Sequence, residues 1–327
     1  MKKKAGISTV FLASMLLTAC GTGGESSSSG EEGNGGSSSK EESEETRTVD
    51  HEMGTTEIEG TPEKVVTLYQ GANDTAAALD VEPVGIVESW TQQPIYKYLR
   101  DDLEGTETVG EEIQPNLEKI AEMDPDVIIA NKSRHEDIYD DLSAIAPTVT
   151  TDQVYEWKDT LELTGEVLNK EQEADELLSD YEARTEHFQE EMGDELPIEV
   201  AITNFRADHA RIFYMGFAGS ILQDTGFDRP EGHEDTDEWG IKLSSKESIP
   251  EADAEMIFNF NSGTETEQIE ETYEEWTSHP LWQELEAVEN DEVHMVEEET
   301  WNAGGGIMAA NLMLDDLYET FDIEEEK

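Results

Sequence analysis

Two sixteen-residue stretches read as copies of one another, NLEKIAEMDPDVIIAN (116–131) and SKESIPEADAEMIFNF (245–260). With Asn116 set against Ser245, Glu118 meets Glu247, Ile120 meets Ile249, Glu122 meets Glu251, Asp124 meets Asp253 and Ile128 meets Ile257, while Asp126 meets Glu255. Each copy is a capped short helix, a polar turn and a buried strand, Val127 to Ala130 or Met256 to Phe260. That is the α-to-β step from which parallel sheets are built. Between the copies lies a helical run from about Thr160 to Met192, with Leu177, Leu178, Tyr181, Phe188 and Met192 at helical spacing. Acidic residues (Glu171, Glu173, Asp175, Glu176) load its start, where the helix dipole favours them, and Gly193 stops it. The pattern predicts an α/β protein of two Rossmann-like lobes joined by a single long α-helix, with a ligand cleft between the lobes. The lobes are placed at 48–159 and 193–327 and the connecting segment at 160–192.

The chain starts MKKK, continues with an apolar run from about Val10 to Leu17, and reaches LTAC at 17–20. This order reads as a lipoprotein signal peptide over 1–19 whose cleavage exposes Cys20 for lipidation. The apolar run is too short to span a bilayer. Cys20 is the single cysteine, so no internal disulfide is available. Residues 20–47, rich in Gly, Ser and Glu, read as a disordered tether. The location expected from this is the extracellular face of the cell membrane, held by lipid on Cys20.

Composition then removes whole classes of function. Asp and Glu number 80 against 20 Lys and Arg, for a formal net charge of −60 among 327 residues. Such a surface repels nucleic acid, whose phosphates need cations, and gives no polybasic grip on anionic lipid. A chain this acidic risks disorder, but 35% hydrophobic residues and six tryptophans argue for a folded body. The acidity reads as a solvated surface suited to salty or alkaline surroundings. No Gly-x-Ser-x-Gly, P-loop or His-Glu-x-x-His motif is present. The seven histidines are scattered, so no protein-built metal site is expected. Carboxylate pairs are too common to inform, and Gly304–Gly306 reads as a hinge or helix entry. An enzyme is not expected.

Arginine is informative because it is scarce. Beyond the signal there are seven, at 47, 100, 134, 184, 206, 211 and 229. Arg134 follows a buried strand in NKSRHEDIY, and Arg206 and Arg211 lie in NFRADHARIFYMG at another strand end. Strand ends are where α/β lobes bind ligands, and a guanidinium fork suits a carboxylate. Each arginine also has acidic neighbours to pair with. Trp90, Tyr214, Trp239 and Trp301 accompany them, and each serves equally well as core. Together they describe an aromatic, cationic cleft for an anionic ligand.

With these residues in hand the chain resembles the solute-binding lipoproteins of iron–siderophore ABC importers, over roughly 48–323. The carriers are NLEKIAEMDPDVIIA, RHEDIYDDLSAIAPTV, the long helix, NFRADHARIFYMGFAGSILQDTGF and HPLWQELEAVENDEVHMV. The similarity is greatest to Gram-positive binders of hydroxamate and citrate–hydroxamate siderophores. It implies that Arg134, Arg206 and Arg211 hold an anionic ferric siderophore, with Tyr214, Trp239, Trp90 and Trp301 as cleft walls. It also implies that Glu118 and Glu247 dock on arginines of the permease. Iron would be held by the siderophore, with no intrinsic cofactor. Related proteins of this fold carry haem or cobalamin, the alternative cargo.

Overall fold

The computed structural model describes residues 46–214, 216–233 and 239–324. The signal peptide, Cys20 and all but the end of the tether lie outside them. The described chain opens with an antiparallel hairpin, β1 (Thr46–His51) and β2 (Gly54–Glu59), which the sequence reading did not anticipate. Val49 and Ile58 fasten it to the first lobe by burial.

Six further strands build the first sheet: β3 (Val65–Thr67), β4 (Gly85–Glu88), β5 (Glu107–Glu111), β6 (Gln114–Pro115), β7 (Val127–Asn131) and β8 (Thr148–Thr151). Their order is β6-β5-β4-β3-β7-β8, parallel except for the β5–β6 pair. The second sheet holds β9 (Val200–Phe205), β10 (Ala210–Phe213), β11 (Gly240–Leu243), β12 (Met256–Asn261) and β13 (Val293–Met295), in the order β11-β10-β9-β12-β13. Here β9, β12 and β13 run parallel and β10 is antiparallel to both neighbours. Helices cover both faces of the parallel strands, so β7 and β9 are buried at every position.

The two sequence copies occupy equivalent places. β7 lies between β3 and β8, and β12 lies between β9 and β13. Asp126, at the start of the first copy's strand, accepts from the N–H groups of Glu63 (2.9 Å) and Lys64 (2.8 Å), just ahead of β3. Its counterpart Glu255 accepts from Glu199 N at 2.9 Å, just ahead of β9. The helical parts differ. Leu117–Met123 is an α-helix capped by Asn116, whose Oδ1 accepts from Lys119 N at 3.0 Å. Lys246–Ala252 is a 3₁₀ helix, because Pro250 inside it has no N–H for an α-helical bond.

The chain passes from one sheet to the other once, but not on a single helix. Two helices make the connection, Trp157–Leu168 and Glu171–Met192. Asn169 between them is left-handed (φ 54°), a conformation asparagine tolerates, and Lys170 N closes onto Gly165 O at 2.8 Å. A Cβ at Gly165 would lie 2.8 Å from the Ala174 Cβ, so glycine lets the two helices meet at this corner.

The C-terminal helix Ile307–Thr320 joins the two halves. Fully buried Asp74, from helix Gln70–Ala78 of the first half, caps it: Oδ1 accepts from Met308 N (2.8 Å) and Oδ2 from Ala309 N (3.0 Å). Tyr98 donates its hydroxyl to the same carboxylate at 3.0 Å. Gly304–Gly306 makes this approach possible, since a Cβ on Gly306 would fall 2.3 Å from Asp74 Oδ1. The triplet is therefore a helix entry. One core cluster runs from Leu79 and Trp157 through Tyr181, Phe188 and Phe258 to Leu314 and Leu317.

Candidate functional site

A cavity of about 810 Å³ opens between the two sheets, within the range of small-molecule sites. Its first-lobe wall is built just past strand C-termini: Gln70 after β3, Trp90 after β4, Glu112 after β5, Arg134 after β7 and Gln153 after β8. Across it stand Arg206 after β9, Arg211 and Phe213 on β10, and Glu298 after β13. Ligands of open α/β sheets bind at such strand ends.

The structure brings Arg134, Arg206 and Arg211 onto this cavity. Arg134 Nε donates to Glu112 Oε1 at 3.0 Å. The Arg206 guanidinium makes no hydrogen bond among the described residues; its Nε is buried without a partner, and Nη2 stands 3.9 Å from Glu298 Oε1. Arg211 Nε donates to His209 Nε2 at 2.8 Å, while His209 Nδ1 is 2.5 Å from Asp208 Oδ1. These contacts fix the tautomer: His209 carries its proton on Nδ1 and accepts from Arg211 on Nε2. Burial, then the nearby Arg206 charge, pushes Arg211 below the usual arginine range. Two neighbouring, half-buried cations with no hydrogen-bonded carboxylate among the described residues form an anion receptor. The other four arginines are engaged elsewhere: Arg47, Arg100 and Arg229 on backbone carbonyls, Arg184 on Asp315 and Asn311 of the C-terminal helix.

The cleft is not simply cationic, as the sequence reading had it. Glu112 and Glu298 are buried in its walls. Burial pushes both carboxyls up, against the opposing pull of Arg134 on Glu112 and of Ser262 and Arg206 on Glu298. Neither was singled out, because nothing distinguishes two glutamates among 80 acidic residues.

The aromatic residues divide. Trp90 and Trp239, 43% and 48% exposed, present open rings to the cavity, and Arg211 Cζ lies 5.5 Å from the Trp239 ring centroid. Trp301 backs the cavity as a fully buried core residue, 4.4 Å from Phe258, with its indole N–H donated to Asp316 at 2.7 Å. Tyr214 does not line the cavity: its ring lies 4.7 Å from His233 and its carbonyl accepts from Arg229 at 2.9 Å. Glu118 and Glu247 lie away from the cavity, both exposed, in the first turn of the two repeat helices. Among the described residues no cluster of three or more His, Cys, Asp or Glu is placed to hold a metal ion, and no helix is long and apolar enough to cross a membrane.

Comparison with known proteins gives consistent relatives. The family model described as periplasmic binding protein matches residues 65–300. The probable siderophore-binding lipoprotein YfiY of Bacillus subtilis (strain 168) is 40% identical over 98% of this chain and 98% of its own. The achromobactin-binding periplasmic protein of Dickeya dadantii (strain 3937) is 41% identical over 78% of this chain and 85% of its own. Among solved structures, Staphylococcus aureus SirA complexed with staphyloferrin B superposes with a TM-score of 0.83 at 46% identity, covering 86% of this chain and all of that one.

Proposed function

The chain belongs to the periplasmic binding protein family, and from that premise we propose that it is the solute-binding lipoprotein of an ABC importer that captures a ferric siderophore and delivers it to the permease. It is a binding protein, not an enzyme. The observation that carries the ligand class is the Arg206–Arg211 pair, two guanidiniums with no hydrogen-bonded carboxylate among the described residues, the second beside the exposed Trp239 ring. A siderophore that keeps a free carboxylate while wrapping iron fits this pair, which favours the citrate–hydroxamate type over a plain hydroxamate. Iron belongs to the cargo, held by the siderophore. The relatives above are named for siderophores, which leaves the haem or cobalamin reading without support.

Lipid on Cys20 holds the protein at the extracellular face of the membrane, and residues 20–47 let the body stand off it. The lobe boundaries stay near 48 and 193, with the connection beginning at Trp157 rather than at 160. Arg134, Trp90 and Trp239 contact the bound chelate, with Trp301 behind them. Glu118 and Glu247, one exposed carboxylate per lobe, dock on cationic residues of the permease.

Quenching of tryptophan fluorescence by a panel of ferric siderophores, with haem and cobalamin included, tests this reading. Saturable quenching at submicromolar concentration by a citrate–hydroxamate or hydroxamate chelate, lost in R206A, is the expected outcome. A response to haem or cobalamin alone rejects the ligand class.

A further inference from the structure

Glu112 is a buried charged group of the cavity wall that the siderophore reading leaves without a task. We propose that it is the positioning residue of the first-lobe wall, holding Arg134 and the start of helix Gln70–Ala78 in one fixed arrangement so that the wall is formed before ligand arrives. The proposal rests on the cavity being the siderophore site.

The geometry is a set of convergent contacts. Glu112 is 3% exposed and follows the end of β5 directly. Its Oε1 takes Arg134 Nε–H at 3.0 Å, and its Oε2 takes the backbone N–H of Gln70 at 3.2 Å. Gln70 is the first residue of a nine-residue helix, so the carboxylate sits at the positive end of that helix dipole. The main chain of Glu112 is fixed as well. His135 Nδ1 accepts from Asn131 N at 3.1 Å, so its Nε2 carries the proton and donates to Glu112 O at 2.8 Å. Arg134 is thus tied twice, through its neighbour His135 and through its own Nε. Its terminal nitrogens make no hydrogen bond among the described residues, and its side chain lines the cavity.

The place calls for a carboxylate. The Arg134 and Gln70 N–H donors converge on it, one of them charged, and the Trp90 side chain favours its charged form as well. Glutamine would turn an NH2 toward one of them and leave a buried donor unpaired. Satisfied by protein donors, Glu112 acts on ligand through Arg134 rather than by contact.

The test is a double-mutant cycle in the full chain, with E112Q, R134A and the double variant, titrated with the ferric complex of a citrate–hydroxamate siderophore. E112Q should weaken binding about tenfold or more, and adding R134A should then cost little further. Fully additive losses, or wild-type affinity in E112Q, overturn the proposal. A ligand-free measurement separates this from failure of the siderophore reading. The Arg134 Nε–H resonance, assigned by its loss in R134A, and the Gln70 N–H resonance should both be protected from solvent exchange in wild-type protein, and at least one of them should be unprotected in E112Q. Protection of both that survives E112Q overturns the proposal whatever the ligand. Loss of protection in a protein that binds no siderophore upholds the positioning contact and rejects the cargo instead. Should E112Q fold poorly by its denaturation midpoint, E112D replaces it: the retained charge keeps the fold, and the shortened arm should still expose the Arg134 Nε–H.

Discussion

The three cleft arginines share a side-chain type but not a task, and the difference lies in what each already touches. Arg134 is compensated by Glu112 at 3.0 Å, whereas among the described residues Arg206 and Arg211 have no carboxylate within hydrogen-bonding distance. A charge-assisted hydrogen bond contributes roughly 1.5–3 kcal/mol. Removing Arg206 or Arg211 should therefore weaken binding of an anionic chelate by about ten- to a hundredfold. R134A should fall at the low end of that range, about tenfold, because Glu112 already balances the Arg134 charge and leaves less of it for the anion. Equilibrium fluorescence titration of the three variants ranks them, and a larger loss in R134A than in R211A would contradict this assignment. His209 makes a second prediction at this scale. Its Nε2 must be unprotonated to accept from Arg211, and burial already holds its pKa below 6.5. Protonation would set a cation against Arg211, so affinity should be flat above about pH 6.5 and fall on acidification. H209Q, which can still accept through its amide oxygen, should lose that acid limb in the same titration.

Between elements, the joint made by Asp74, Tyr98 and the C-terminal helix has the clearest energetic signature. D74A leaves Met308 N and Ala309 N uncapped in the interior and should cost about 2 kcal/mol. G306A places a Cβ 2.3 Å from Asp74 Oδ1, against a side chain that cannot move away, and should cost roughly 1–3 kcal/mol. Denaturant midpoints measure both. Burial also pushes the Asp74 carboxyl from 3.8 up to about 7, outweighing the three donors that favour its charge. The folded state therefore holds this proton more tightly than the unfolded chain. Its contribution to stability is complete below about pH 4 and is lost as pH rises through about 7, by at most ~4 kcal/mol. D74N should flatten that slope between pH 4 and 8, and a wild-type slope in D74N would reject the attribution. Much of this architecture was legible in the sequence. The repeat encodes paired helix-to-strand steps in a period, and Asp126 and Glu255, matched by alignment alone, bond the backbone at equivalent points. What stayed hidden depends on contacts far apart in the chain. The helix break at Asn169 needs the packing of Gly165 on Ala174 to be visible, the role of Gly304–Gly306 needs Asp74, and the place of Glu112 needs Arg134 and Gln70.

At the scale of the whole molecule, the two sheets share a core that resists large relative motion. Trp157, Tyr181 and Leu314 belong to the same buried cluster as Leu79 of the first half and Phe258 of the second. Opening the cleft widely would expose part of it, at roughly 25 cal/mol per Å² of apolar surface. Saturation with a ferric chelate should accordingly leave the radius of gyration in small-angle scattering nearly unchanged, and a contraction typical of hinge-closing domains would show that the core divides. The same compactness sharpens the question of how an anion reaches the site at all. The chain carries a formal net charge of −60, and only a few cations line the cleft. At about 10 mM salt the repulsive field reaches ~30 Å from the surface, and at about 100 mM it reaches ~10 Å. Arg206 and Arg211 act at contact distance, well inside either range, so screening removes the long-range penalty before it weakens the final ion pairs. Association of an anionic ferric siderophore, followed by stopped-flow tryptophan quenching, should therefore accelerate from about 10 to 100 mM salt while dissociation changes little. This is opposite to the salt dependence of a cationic ligand, which the acidic surface would attract. A rate that is flat or falls across the series would mean that the bound species is not an anion, and the pairing of Arg206 and Arg211 with a free carboxylate would fall with it.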